Sequence, residues 1–199
     1  MSEHGVQVRG ARLVERVLEA TIAELARVGF GALSIEEIAR RAEVNKTTIY
    51  RRWPTKLDLV RAASLQLAGA VAVEPDTGAL RSDLIAMGKA FRDFLQSVHG
   101  QSLMRMMVSE GEQEICRMAR EVRVSEATRH KRMVARAVAR GELPAGTDSQ
   151  LIVDALASTI QNRSLFLGES VTDKQLAQIV DLLLVGAVAG GAQRVRRAK

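Results

Sequence analysis

Apolar residues return every three or four positions along almost the whole chain, and no stretch gives the alternating, β-branched run that a strand needs. That periodicity predicts an all-α protein. The first stripe runs from about Arg9 to Val28, with Leu13, Val14, Val17, Leu18, Ile22 and Leu25 on one face and Gly29 following as a left-handed cap. Leu33 to Ile38 then carries a complete start signal: Ser34 as N-cap, Glu37 to close a capping box, and Leu33 in register to staple onto Ile38. The helix so opened is short and ends near Ala42. Val44 and Asn45 open a third by the same logic, Asn45 as N-cap and Val44 in staple register with Ile49. Pro54 forces Trp53 out of the helical region and stops that helix, after which Thr55, with Asp58 in the first turn, caps a fourth that reaches about Val73.

Glu74 to Gly78 reads as a linker, and helical periodicity resumes through Leu80, Leu84, Met87, Phe91, Leu95 and Val98 until His99 and Gly100 break it. A short helix is expected from Ser102 to Ser109, then a long one from about Glu112 that Gly141, Leu143 and Pro144 terminate. Thr147 with Gln150, and Thr172 with Gln175, form two further capping boxes that open helices reaching about Phe166 and Gly190. The basic tail from Arg194 to Lys199 is expected to fray.

At 199 residues the chain can form one large domain or a small one joined to a medium one. Its formal charge of +6 points to a polyanionic partner. Cys116 is the only cysteine, which excludes an internal disulfide and a cysteine-rich zinc site, and His4, His99 and His130 have no ligand spacing; no metal or cofactor is expected. The longest apolar run, Leu182 to Ala192, is far short of the roughly 20 residues that span a bilayer. No secretory leader is visible at Ser2 to Gly5, so a cytoplasmic protein is expected, and the sequon at Asn162 should go unused.

Two short helices joined by a tight turn, the second presenting polar and basic residues, describe a helix-turn-helix whose second helix enters the DNA major groove. Ile35, Ile38, Ala39, Ala42, Val44 and Ile49 supply its inner face, with Ala39 small enough for a close crossing. Lys46, Thr47, Thr48, Tyr50, Arg51 and Arg52 are left to donate to phosphates or base edges. The run from Ile38 to Lys56, with Ala39-Arg40-Arg41-Ala42 ahead of Thr48-Ile49-Tyr50 and then Trp53 and Lys56, resembles the DNA-binding signature of the tetracycline-repressor (TetR) family of bacterial transcription regulators. The resemblance covers about Arg9 to Ala63. It implies a three-helix DNA-binding domain over residues 1–54 and a helical ligand-binding and dimerisation domain over 55–199. It also implies that Lys46, Thr47 and Thr48 face the groove, that Tyr50 and Arg52 hold phosphates, that Lys56 adds a phosphate contact, and that Trp53 packs the small domain together. Two residues depart from the family pattern: Glu43 stands where glycine is frequent in the turn, and Thr47 where a second glycine is common. The first implies slight strain or a modified turn.

A run of charge is usually a solvated surface, but Lys46, Arg51, Arg52, Lys56 and Arg61 are opposed only by Asp58 over their stretch, which favours DNA. Arg9, Arg12 and Arg16 fit a backbone-binding arm and exposed helix charges equally well. Met87, Phe91, Phe94, Met104, Met107 and Met118 are candidates to line a largely apolar effector pocket, against the plainer reading as core. Ile152, Leu156, Ile160, Ile179, Leu183 and Ala187 suit either the interior or an intermolecular four-helix bundle; the resemblance favours the bundle, hence a homodimer. The expected function is therefore a sequence-specific regulator of a double-stranded DNA operator, a repressor relieved by a small molecule. The rival is a basic helical carrier or enzyme, for which the chain offers no nucleophile with a base, metal cluster or phosphate loop. Salt-dependent DNA binding separates the two.

Overall fold

The computed structural model describes residues 3–71, 73–109 and 113–197. Among these, nine α-helices and one π-helical turn make up the fold: α1 Glu3–Val28, α2 Ile35–Arg41, α3 Lys46–Arg52, α4 Lys56–Val71, α5 Leu80–Gln96, α6 Val98–Ser109, α7 Gln113–Ala139, α8 Ser149–Gln161, the π-turn Asn162–Phe166, and α9 Asp173–Arg197. The all-α expectation holds throughout. No helix of the described residues is long and apolar enough to cross a membrane.

The chain forms two compact units, residues 1–70 with 98–122 and residues 71–97 with 123–199. In the first, α1 packs against both α2 and α6, and α2 against α3. Its interior is built by Val17, Leu18, Ile22 and Leu25 of α1 with Leu33, Ile35, Ile38, Ala39, Ala42 and Ile49, while Leu13 and Val14 of the expected stripe and Val44 of the expected inner face are half-buried. The second unit packs α5 against α8 and α9. Gly88 lets α5 approach closely there: a Cβ at that position would lie 2.7 Å from a methyl of Leu176 and 3.5 Å from one of Ile160.

Several element ends differ from the expectation. α1 begins at Glu3 rather than Arg9, and α9 continues to Arg197 past the expected end near Gly190 and into the tail that was expected to fray. The break after α5 falls at Ser97, not at His99-Gly100: the Ser97 hydroxyl donates to Phe94 O at 2.7 Å and its backbone turns extended, so α6 restarts at Val98. α8 is capped by Asp148, which accepts from Gln150 N and Leu151 N, while Thr147 turns back to donate to Pro144 O. A carboxylate one residue nearer the helix outcompetes the hydroxyl. Helix α8 gives way to the π-turn after Gln161, so its regular part stops short of Phe166. At α9 the expected box of Thr172 and Gln175 is present in both directions.

In the second unit, two acidic residues that the sequence reading did not single out fix the start of α5. Glu142 accepts from Leu80 N at 2.7 Å, supplying the cap that Ala79 cannot. Asp83, fully buried, accepts from both the backbone and the hydroxyl of Thr77. Arg132 and Arg136 of α7 hold Glu74, whose pKa they draw down to about 2.

Candidate nucleic-acid interface

The turn between α2 and α3 decides where the reading helix points. Ser34 caps α2 by accepting from Glu37 N, as expected, but the Glu37 carboxylate does not close the box. It takes Arg40 and Arg41 at 2.7–2.9 Å, which hold its pKa down to about 2. At the other end of α2, Val44 N donates to Ala39 O and Glu43 N to Arg40 O, a paired closure that requires a left-handed residue at Glu43. Glu43 supplies it with φ of +54°, the one non-glycine residue at positive φ among the described residues. The turn is thus built to the usual plan with a strained residue at its pivot.

Asn45 then caps α3. Its Oδ1 accepts from Thr47 N at 3.0 Å and from the Thr47 hydroxyl at 2.9 Å. The hydroxyl proton of Thr47 is therefore committed to the cap, and what that side chain offers outward is a lone pair and a methyl. Ile49 is fully buried and anchors the helix, and Thr48 is half-buried beside it. Lys46, Thr47, Tyr50, Arg51 and Arg52 are exposed, and neither arginine has an ion-pair partner among the described residues. Unpaired guanidinium groups on a half-turn of helix form a concentrated donor surface for phosphate oxygens. Trp53 closes α3 with extended backbone ahead of Pro54, its N–H bonded to Ile49 O.

Two expected contacts are altered by neighbours. The Lys56 ammonium donates to Phe30 O at 2.9 Å and Gly31 O at 3.2 Å and sits 4.7 Å above the Phe30 ring. It therefore satisfies carbonyls beyond the end of α1, a structural task that the sequence reading missed because those carbonyls lie about two dozen residues away. Lys46 stands 3.4 Å from Glu36 of α2. Arg16 faces Glu43 at 3.5 Å, which gives it a place on the helix surface. Behind α2, Glu24 is 1% exposed and bonded bidentately to Arg27, with Arg41 at 3.6 Å; the Arg27 bonds keep its pKa below the ordinary carboxylate value despite burial. No spacing rule identifies such a pair, since Glu24 and Arg41 meet only once α1 and α2 pack.

The effector and dimer candidates are dispersed. Met87, Phe91 and Phe94 lie half-buried on α5, at positions spaced four and three apart, while Met104 is buried in the other unit. The side chains of Met107 and Met118 lie outside the described residues. Ile152, Leu156 and Ile160 are 6%, 1% and 0% exposed within the single chain, so their surface is already spent on the interior and is not available to a second copy. Ile179, Leu183 and Ala187 are half-buried. The exposed apolar residues of these helices are one or two positions away, at Leu151 of α8 and at Leu182, Val185 and Val188 of α9, with Leu182 75% and Val185 71% exposed.

Comparison with known proteins agrees with this geometry. Residues 17–63 match the family model described as bacterial regulatory proteins, tetR family, and residues 74–183 match the tetracyclin repressor-like C-terminal domain. The HTH-type transcriptional regulator AqdR of Rhodococcus erythropolis is 35% identical over 181 residues, covering 90% of this chain and 87% of its own. The DNA-binding transcriptional repressor TetR of Mycobacteroides abscessus is 31% identical over 189 residues, covering 93% and 98%. Among solved structures, the TetR family transcription regulator SCO0332 superposes with a TM-score of 0.72 at 26% identity, over 87% of this chain and 97% of its own. With both family models matched in order and a helix-turn-helix that leaves its basic face outward, the chain belongs to the TetR family and is a DNA-binding transcriptional regulator.

Proposed function

We propose that the chain works in the cytoplasm as a homodimeric repressor that leaves a double-stranded DNA operator when a small, largely apolar molecule binds. The observation that carries the DNA half is the seven-residue helix α3, whose outward residues are Lys46, Thr47, Tyr50, Arg51 and Arg52 while Ile49 alone of its side chains is fully buried. A helix of that length reaches too few base pairs for useful selectivity, so two copies set about 34–36 Å apart, or a multiple, are expected on a partly palindromic site. Residues 1–54 would form the reading head, and residues 55–199 the ligand-binding and dimerisation part.

The uncovered apolar face of α9 supports the dimer. Leu182, Val185 and Val188 would pair with Leu151, Ala155 and Thr159 of α8 in a bundle made with the second chain, bordered by Ile179, Leu183 and Ala187. Met87, Phe91 and Phe94 of α5 are the best-supported effector contacts, because none is wholly spent on the interior; Met104, Met107 and Met118 are secondary candidates. Ligand would act through α4, the helix that follows the head in the chain, and must favour one of two head separations to do so.

Sedimentation equilibrium tests the dimer face. The wild type should be dimeric at micromolar concentration, and Leu182→Glu combined with Val185→Glu should be a folded monomer. A dimer that survives both substitutions contradicts the assignment. For the effector, release of a bound duplex by members of a graded series of fatty acids and flat aromatic compounds is expected, weakened by Phe91→Ala; retention of the duplex with every member counts against an apolar ligand.

A further inference from the structure

Three carboxylates lie in α2 and the turn that follows it, and two have evident structural work. Glu37 is held by Arg40 and Arg41 of its own helix, and Glu43 forms the pivot of the turn and faces Arg16. Glu36 has neither duty. It stands 65% exposed in the first turn of α2, its Oε1 3.4 Å from the Nζ of Lys46, the first residue of the recognition helix. Ser34 Oγ donates to its other oxygen at 3.4 Å, which limits the directions the carboxylate can take. The positive end of α2 favours a carboxylate in its first turn, but one set beside the first residue of the DNA-reading helix is also repelled by every phosphate, so without a partner in the groove Glu36 would lower affinity. In the major groove, however, a carboxylate has a fitting partner in the cytosine N4 amino group, as an ammonium has in guanine O6 and N7. One G·C pair presents both, next to each other, to a donor and an acceptor held a hydrogen bond apart.

We propose that Glu36 and Lys46 act as one reading unit that selects a G·C pair in each half-site, Lys46 donating to guanine and Glu36 accepting from the cytosine amino group. The inference rests on α3 being the recognition helix and extends base reading to a residue of α2. Away from its site the same carboxylate competes with phosphates for the Lys46 ammonium, which holds down binding to unrelated DNA. Its own backbone N–H and Lys46 keep Glu36 below the ordinary carboxylate pKa, so the acceptor is charged at neutral pH.

The test selects duplexes from a randomised pool with the wild type, Glu36→Ala, Glu36→Gln, Lys46→Ala and the double alanine variant, then titrates each against enriched and scrambled duplexes over a range of salt. The wild type should prefer G·C at one position of each half-site. Glu36→Ala should lose that preference by roughly tenfold and bind the scrambled duplex several-fold more tightly, with a salt slope steeper by about 0.9 as Lys46 turns to a phosphate. Glu36→Gln should shift the preference toward adenine, which a glutamine amide pairs bidentately. The double variant should lose no more discrimination than either single one. A clear wild-type motif that Glu36→Ala leaves unchanged, in a variant whose circular dichroism shows it folded, overturns this inference alone; absence of any wild-type motif overturns it together with the reading of α3.

Discussion

Replacing Glu43 with glycine should make the reading head more stable, although it deletes an ion pair. Glu43 is held at φ of +54° by the paired hydrogen bonds that close α2. For a residue with a Cβ that conformation costs about 1–2 kcal/mol. Glycine removes this cost but gives back about 0.4–1 kcal/mol through the freedom of the unfolded chain. The Arg16–Glu43 pair is long at 3.5 Å and exposed on both sides, so its loss subtracts a few tenths at most. The net expectation is a gain of about 0.5–1 kcal/mol, or roughly 1–4 °C in melting temperature for a chain of this size. Trp53, the single tryptophan, lies at the end of α3, so its fluorescence during denaturation at fixed protein concentration reports on this unit. Glu43→Ala separates the two effects, because it removes the charge and keeps the strain; it should be neutral or slightly destabilising. If the glycine variant were no more stable than the alanine variant, the argument from backbone strain would be refuted.

Lys56→Met should cost about 1–2 kcal/mol by the same Trp53 readout, since it leaves the carbonyls of Phe30 and Gly31 without their donor and removes the cation from above the ring. Gly88→Val should destabilise the second unit by about 1–3 kcal/mol, because its new atoms meet the buried Leu176 and Ile160; an unchanged denaturation midpoint would show that α5 and α9 are not in close contact there. The folded pKa of Glu37 and Glu74 is drawn from 4.5 to about 2, so the folded state binds these protons less readily than the unfolded chain. Their contribution should be complete above pH 4.5 and fade as pH falls toward 2, more weakly in high salt, and carboxyl NMR titration of the two side chains reads this directly. Arg52→Ala should weaken binding to all duplexes alike and flatten the salt slope by about 0.9; a change in base preference would assign Arg52 to the bases instead.

Local signals were sufficient for the two helices of the helix-turn-helix. Asn45 and Pro54 act on their own neighbours, and α3 begins and ends where they place it, as α4 begins after Thr55. What could not be read from sequence depends on packing between segments distant in the chain. Lys56 is basic and lies after the recognition helix, and nothing in that placement shows that its ammonium also donates to the carbonyls beyond α1. Glu24 pairs with Arg27 at the i,i+3 spacing of a helix face, but its second arginine comes from another helix and no spacing announces it. On α8 the apolar stripe was identified correctly, but periodicity alone cannot say which element a stripe faces. Ile152, Leu156 and Ile160 face their own unit, and the apolar side chains left exposed are Leu151 of α8 and Leu182, Val185 and Val188 of α9. Where two cap residues stand side by side, as Thr147 and Asp148 do, the choice depends on geometry that only the folded turn supplies.

The most direct test of the central claim is a titration of the intact chain against a duplex enriched from a random pool and against a scrambled duplex of equal length, between about 50 and 200 mM salt. A regulator that reads DNA through Lys46 to Arg52 should bind the enriched duplex at least about a thousandfold more tightly at physiological salt. Its affinity for both duplexes should fall steeply as salt rises. Equal affinity for the two would reduce the chain to a nonspecific DNA coat, and failure to bind either would contradict the reading of α3 altogether.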